Sequence, residues 1–173
     1  MSAPFSESVA SVPARISSKP KAAALAAAAA GAVLLVTSLV GPGWLYVPAN
    51  PAAQVPAMTL SFGDLHDLTA GGMVPTNGIQ DAYLSWLGWM LVAAVSVLAV
   101  ALAVAPRRSL AWLLVVASVV GLVVTTLALK GPLSWGDFID EAKNLRIGGY
   151  LVIIGFIVTL VLAAISLRPR REL

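Results

Sequence analysis

"IGGYLVIIGFIVTLVLAAISL", Ile147 to Leu167, runs for twenty-one residues without an acidic, basic or imidazole side chain. A helix needs about 20 predominantly apolar residues to cross the hydrocarbon core of a bilayer, and this stretch has that length. Three more such runs lie upstream, at Ala22–Val40, Tyr83–Val104 and Leu110–Leu129. Hydrocarbon offers a backbone no hydrogen bonds, so each run is expected to be a helix that satisfies its own amides and carbonyls. The rest of the composition agrees: 59% of the 173 residues are hydrophobic, 11% are charged, and the mean hydropathy is +0.90. These values put the chain outside the soluble class and predict an all-α integral membrane protein with four transmembrane helices.

Basic residues set the expected orientation. Arg15, Lys19 and Lys21 precede the first run, Arg107 and Arg108 join the second to the third, and Arg168, Arg170 and Arg171 follow the fourth. The connection from 41 to 82 has no lysine or arginine, and that from 130 to 146 balances Lys130, Lys143 and Arg146 against Asp137, Asp140 and Glu141. The positive-inside rule then puts both termini in the cytoplasm of a plasma-membrane protein and both longer loops outside. Residues 1–21, small, polar and interrupted by proline, are expected to be disordered, and 168–173 to form a basic tail. The first run could alternatively serve as a signal peptide with Val47-Pro-Ala49 as its cleavage site, although it is long for that purpose. Trp44, Tyr46, Trp86, Trp89 and Tyr150 are expected to anchor the outer interface, and Trp112 the inner one.

The two halves of the chain share an ordered set of landmarks. "VTSLVGP" (Val36–Pro42) is matched by "VTTLALKGP" (Val124–Pro132), and "LSFGDLHDL" (Leu60–Leu68) by "LSWGDFIDE" (Leu133–Glu141). "YLSWLGW" (Tyr83–Trp89) is matched by "YLVIIGF" (Tyr150–Phe156), and both halves close on Pro-Arg-Arg, at 106–108 and 169–171. The order predicts two tandem helical hairpins, residues 22–106 and 107–167, as a parallel repeat about an axis along the membrane normal. Within the echo, Ser61 stands three residues before Asp64 and Ser134 three before Asp137, the pattern of a capping box. A short interfacial helix is expected at each serine. Phe62, Leu65, Leu68 and Thr69 would form the apolar face of the first, away from Asp64 and Asp67, while Trp135, Phe138 and Ile139 would do so in the second, away from Asp140.

Helix association in lipid relies on close approach through small residues. Four-residue spacing offers Ala23, Ala27 and Gly31 on the first span; Ala99 and Ala103 on the second; Ala117, Gly121 and Thr125 on the third; Gly155, Thr159 and Ala163 on the fourth. The hydroxyls at Thr37, Ser38, Ser96, Thr125, Thr126, Thr159 and Ser166 are expected to return hydrogen bonds to their own helices.

Candidate chemistry is sparse. An ionisable group inside the membrane would mark a proton or ion path, and the four runs contain none. Asp64, His66 and Asp67 form the one imidazole–carboxylate cluster, but Asp64 and His66 are about 200° apart on a helix, so a metal site would need Asp137 or Asp140 as well. The lack of cysteine removes disulfides, thiolate ligands and cysteine nucleophiles. Nucleophile elbows, zinc-protease signatures, phosphate loops and dinucleotide fingerprints are also missing from the sequence. No cofactor is implied. The arginines suit anionic lipid headgroups rather than nucleic acid.

The alanine, valine and arginine bias, on a four-span layout, resembles small uncharacterised membrane proteins of GC-rich actinobacteria. The long first and short second outer loops also resemble claudin-like tetraspans, whose first-loop cysteine pair is absent here, so no function follows from that likeness. The expectation is a non-enzymatic accessory or scaffold protein of a larger envelope complex, serving cell-wall synthesis, division or respiration, with membrane-protein partners or further copies of itself. An oligomeric pore or lipid-handling protein is the alternative, and an exoplasmic metal-dependent enzyme a third.

Overall fold

A computed structural model describes residues 19–168, so most of the N-terminal segment and basic tail lie outside the described residues. Helix α1 (Lys19–Val40) leads into a short antiparallel ribbon of β1 (Leu45–Val47) and β2 (Met58–Leu60), followed by α2 (Phe62–Ala70) and α3 (Gly78–Ala82). A π-helical turn, Tyr83–Leu87, joins α3 to α4 (Gly88–Val104). Then come α5 (Arg108–Lys130), α6 (Trp135–Glu141), a 3₁₀ turn at Ala142–Asn144, and α7 (Ile147–Leu167). Among the described residues four helices, with α3 and α4 counted as one from Gly78 to Val104, are long and apolar enough to cross a membrane.

The helical segment ending at Val104 begins five residues before the apolar run does. The Asn77 side chain accepts a 2.8 Å hydrogen bond from the Gln80 amide and so caps a polar first turn outside the run. The β ribbon was not legible in the sequence. Its strands are three residues long, too short for an alternating pattern to stand out, and Leu45 pairs with Leu60.

α1 packs against α4 and α7, and α5 packs against the same two helices, which closes the four long helices into a ring. Glycine makes two of the seams possible. A Cβ on Gly31 would stand 2.7 Å from Thr159 Cγ2, one on Gly155 would stand 2.7 Å from Leu35 Cγ, and one on Gly121 would run into the Phe156 ring. The buried positions of α5 are Ala111, Leu114, Ser118, Gly121, Thr125 and Ala128, spaced alternately three and four apart. That period of 3.5 residues keeps a seam facing its neighbours along slightly tilted helices, whereas a strict four-residue stripe drifts round the helix.

The drift grades the expected packing positions, and Ala27 and Ala117 lie at the edge of the core. Ala117 is only half-buried, with Ser118 taking the inner position beside Gly121 and Thr125. On α1 Ala23 is exposed and Ala27 half-buried, while Ala28 is the buried alanine one turn from Gly31. Gly155, Thr159 and Ala163 are all buried on α7, and Ala99 and Ala103 on α4.

Candidate functional site: an apolar pocket beneath the loop cap

Both connections fold over one end of the bundle, the loop end, and an aromatic cluster holds them there. Trp44 is 1% exposed, and its ring centroid lies 5.1 Å from that of Phe62 and 6.3 Å from that of Tyr83. Phe62 meets Tyr83 and Trp89 edge-on, each at 6.1 Å. The Trp44 indole N–H donates to the Ser38 carbonyl, in the last turn of α1. The Trp44 carbonyl accepts from the Arg146 amide at 2.8 Å, and the Gly43 carbonyl from the Gly148 amide at 2.9 Å, which ties the start of α7 to the chain leaving α1. Only glycine fits at 148, because the Trp44 indole and the Pro42 carbonyl occupy the place of a Cβ.

Two expectations change here. Trp44 is fully covered by protein and cannot be an interface anchor, since nearly all its ring surface is spent on the cap. Phe62 points into the same cluster, so the apolar face of α2 is closed against the bundle at that position rather than laid on lipid. Leu65, Leu68 and Thr69 beside it are half-buried, and the Thr69 hydroxyl donates to the Leu65 carbonyl at 2.7 Å. Of the other aromatics expected at interfaces, Tyr46 lies under the Arg146 guanidinium at 4.5 Å, while Trp86, Trp89, Trp112 and Tyr150 are exposed.

The serines begin their helices by the local chemistry read in the sequence. Ser61 Oγ accepts from the Asp64 amide at 3.2 Å, and Asp64 Oδ2 accepts from the Ser61 amide at 2.8 Å and hydroxyl at 2.7 Å, completing the capping box. Those bonds, the backbone amide first, hold the Asp64 carboxyl below its ordinary pKa of 3.8, because they favour the charged form. Ser134 Oγ likewise accepts from the Asp137 amide at 3.2 Å and donates to Asp137 Oδ2 at 2.7 Å. Among the described residues no three His, Asp or Glu side chains gather into a possible metal site, so Asp137 and Asp140 do not join Asp64, His66 and Asp67.

Inside the bundle several hydroxyls do return bonds to their own helices: Ser38 to Leu35, Thr126 to Leu122 and Ser166 to Leu162. Two contacts cross between helices instead. Ser118 and Thr159 lie 3.0 Å apart between α5 and α7, and the Thr125 hydroxyl donates to the Tyr83 phenol at 3.0 Å. Ser118 escaped the sequence reading, although it lies seven residues before Thr125 on one seam.

Beneath the cap is a cavity of about 410 Å³, within the range of small-molecule sites, with mostly apolar walls. Leu65, Leu84, Leu129, Leu133, Phe138 and Leu145 supply much of the lining. The π-helical turn puts Tyr83 and Leu84 on its wall, and such turns recur at binding sites because they turn side chains off the regular helical face. Three polar side chains interrupt it: Gln80, Lys130 and Glu141. The Gln80 amide lies against Gly131, whose φ of +54° ends α5, and Asn77 Nδ2 donates to the Gly131 carbonyl at 2.8 Å. Gln80 Oε1 is buried against Gly131 without a hydrogen-bond partner among the described residues. Lys130 Nζ donates to the Leu133 carbonyl and sits 5.4 Å from the Trp135 ring centroid. Glu141 accepts from the Asn144 amide. A second hollow, of about 330 Å³, lies at the opposite end among Arg107, Arg108 and Arg168. Neither Gln80 nor this enclosure was visible in the sequence, because a lone glutamine ahead of an apolar run carries no periodic signal; Asn77-Gly78 did mark a turn.

No family model matches the chain, nor does any curated protein or solved structure.

Proposed function

We propose that this protein is a non-enzymatic, multi-pass accessory or scaffold subunit of the plasma membrane, with both termini cytoplasmic and the loop end outside, and that it joins a larger envelope complex through that end. The carrying observation is α6: Trp135 is 55% and Ile139 70% exposed on a helix whose counterpart in the sequence echo, α2, hides its own aromatic. Exposed Met73, Val74 and Ile79 extend the apolar surface on the same end. Exposed apolar side chains on a preformed cap suit a protein partner.

The two-hairpin repeat belongs to this reading. Each hairpin is closed by contact of its own helices, α1 with α4 and α5 with α7, and each carries a serine-capped helix in its loop. The lack of ionisable residues within the apolar runs speaks for a structural role over proton-coupled transport.

Cross-linking and affinity purification of the tagged chain from its host, followed by mass spectrometry, tests the proposal. A stoichiometric set of membrane proteins, lost in the double variant Trp135→Ser, Ile139→Ser, is expected. Recovery of the chain alone as a defined homo-oligomer that passes solutes in proteoliposomes overturns it.

A further inference from the structure

We infer that the cavity beneath the cap binds one linear hydrocarbon chain of about 12–16 carbons, carried by a single-chain lipid such as a fatty acid or lysophospholipid whose polar head stays outside. This inference rests on the membrane reading of the four helices and is independent of any protein partner. The walls exclude a polar ligand. Most of the lining is apolar, and the polar side chains in it are engaged elsewhere. Gln80 Oε1 is packed against Gly131, the Lys130 ammonium donates to the Leu133 carbonyl and lies over the Trp135 ring, and Glu141 accepts from Asn144. The Tyr83 phenol accepts from Thr125. A donor or acceptor brought into this cavity would give up its water for little in return, so the buried part of the ligand is hydrocarbon.

Volume sets its length, and place sets its source. An apolar cavity of about 150 Å³ takes one benzene ring, so one of about 410 Å³ has room for some 15 carbons. That is one acyl chain and not two. Leu84, Ala128 and Leu129 stand at the ends of two apolar runs, while Leu65, Leu133 and Leu145 come from the loops. The cavity therefore straddles the level at which lipid tails give way to headgroups, marked on the bundle surface by exposed Trp86, Trp89 and Tyr150. A chain seated there keeps its head at the interface. In a two-chain phospholipid the chains spring from neighbouring glycerol carbons, so seating one for its whole length would press the root of the other against the loop walls.

The test begins with the unaltered chain. Held in amphipol so that no micelle competes, it is titrated by native mass spectrometry with saturated fatty acids from octanoic to eicosanoic, with myristoyl lysophosphatidylcholine and with dimyristoyl phosphatidylcholine. One chain per protein is expected, with affinity rising about tenfold for each added pair of methylenes and levelling at about 16 carbons, where the cavity is filled. Myristic acid and the lysolipid should bind within about threefold of each other, since no wall group reads the head, and the two-chain lipid at least about tenfold more weakly. Trp44 is on the wall and 1% exposed, so in the variant Trp86→Phe, Trp89→Phe, Trp112→Phe, Trp135→Phe its fluorescence reports on the interior alone. A fatty acid brominated at mid-chain should quench it at one equivalent. Ala128→Phe fills the cavity from α5 and Leu133→Trp from the loop; each should cut retention about tenfold or more with helicity unchanged. Affinity independent of chain length, uptake of many chains without saturation, or two-chain lipid bound as tightly as its lyso form overturns the assignment. So does a Trp44 that brominated chains leave bright, or retention undiminished in both wall variants. The length series decides even where a wall variant fails to fold. Purification of a partner complex has no bearing on these outcomes, so the two proposals fail separately.

Discussion

Ser61 and Ser134 each accept from the amide three residues on at 3.2 Å, yet the aromatic that follows is 1% exposed in α2 and 55% exposed in α6. What differs is the ground beneath. Under Phe62 lie Gly88, which leaves room for a ring edge, and Trp44, which faces it. Trp135 meets its own neighbour Phe138 and the Lys130 ammonium, and more than half of it is left exposed. A short motif therefore fixes where a helix begins, and the residues it lands on decide whether its aromatic becomes core or surface. One copy thus locks the cap to the bundle, and the other is left with an apolar face for something else.

The largest break in that comparison comes from removing the buried ring. Phe62→Ala should cost about 3–5 kcal/mol of cap stability, the usual loss for a fully enclosed aromatic. Trp44 would lose its nearest ring, so its fluorescence should shift to the red in thermal or denaturant melts of the detergent-solubilised protein. A Phe62→Ala variant as stable as the parent would mean that α2 sits on the bundle without being held by it.

The reach of the sequence follows the same division. Four spanning helices were legible because twenty apolar residues in a row have few other uses, and both serine caps were legible because three residues suffice to make one. Burial of Trp44 and Phe62 was not, since it depends on Gly148 and Gly88 clearing space for them from two distant parts of the chain. The same is true of the pocket, whose walls come from both loops and two helices and one of whose polar residues, Gln80, belongs to a helical turn set outside the apolar run. Nor could composition show that Ser118 rather than Ala117 faces inward, a matter of a 3.5-residue rather than a four-residue seam.

Smaller effects sharpen the contrast between the caps. Ser61→Ala should cost about 1 kcal/mol, and Ser134→Ala less, within the known range of about 0.5–2 for N-caps. The first removes a reciprocal box beneath which Phe62 is fixed; the second frees a helix that packs on little. Amide hydrogen exchange across α2 and α6 would compare them directly.

Acid gives a graded version of the same test. The Asp64 carboxyl is held below 3.8 by the Ser61 amide and hydroxyl. A group with a depressed folded pKa stabilises the fold fully above its unfolded value and loses that contribution as pH falls through the folded one. α2 should therefore keep its protection at neutral pH and loosen only below about pH 4. Asp64→Asn should flatten that dependence.

The smallest stability effect belongs to Trp135. Exposed on α6, it can be changed to serine at a cost within about 0.5 kcal/mol, the ordinary range for a surface site, with a slight loss from the Lys130 contact. That near-silence is what makes the variant useful. An aromatic kept at the surface beside an exposed Ile139 adds little to the fold, so any loss on replacing it must appear in what the protein binds. If Trp135→Ser leaves melting unchanged and strips the partners from the purified complex, α6 is the docking face and the two copies of the motif have divided the work of anchoring and binding. If melting falls as far as it does in Phe62→Ala, α6 packs more tightly than its exposure allows, and the contrast between the two helices disappears.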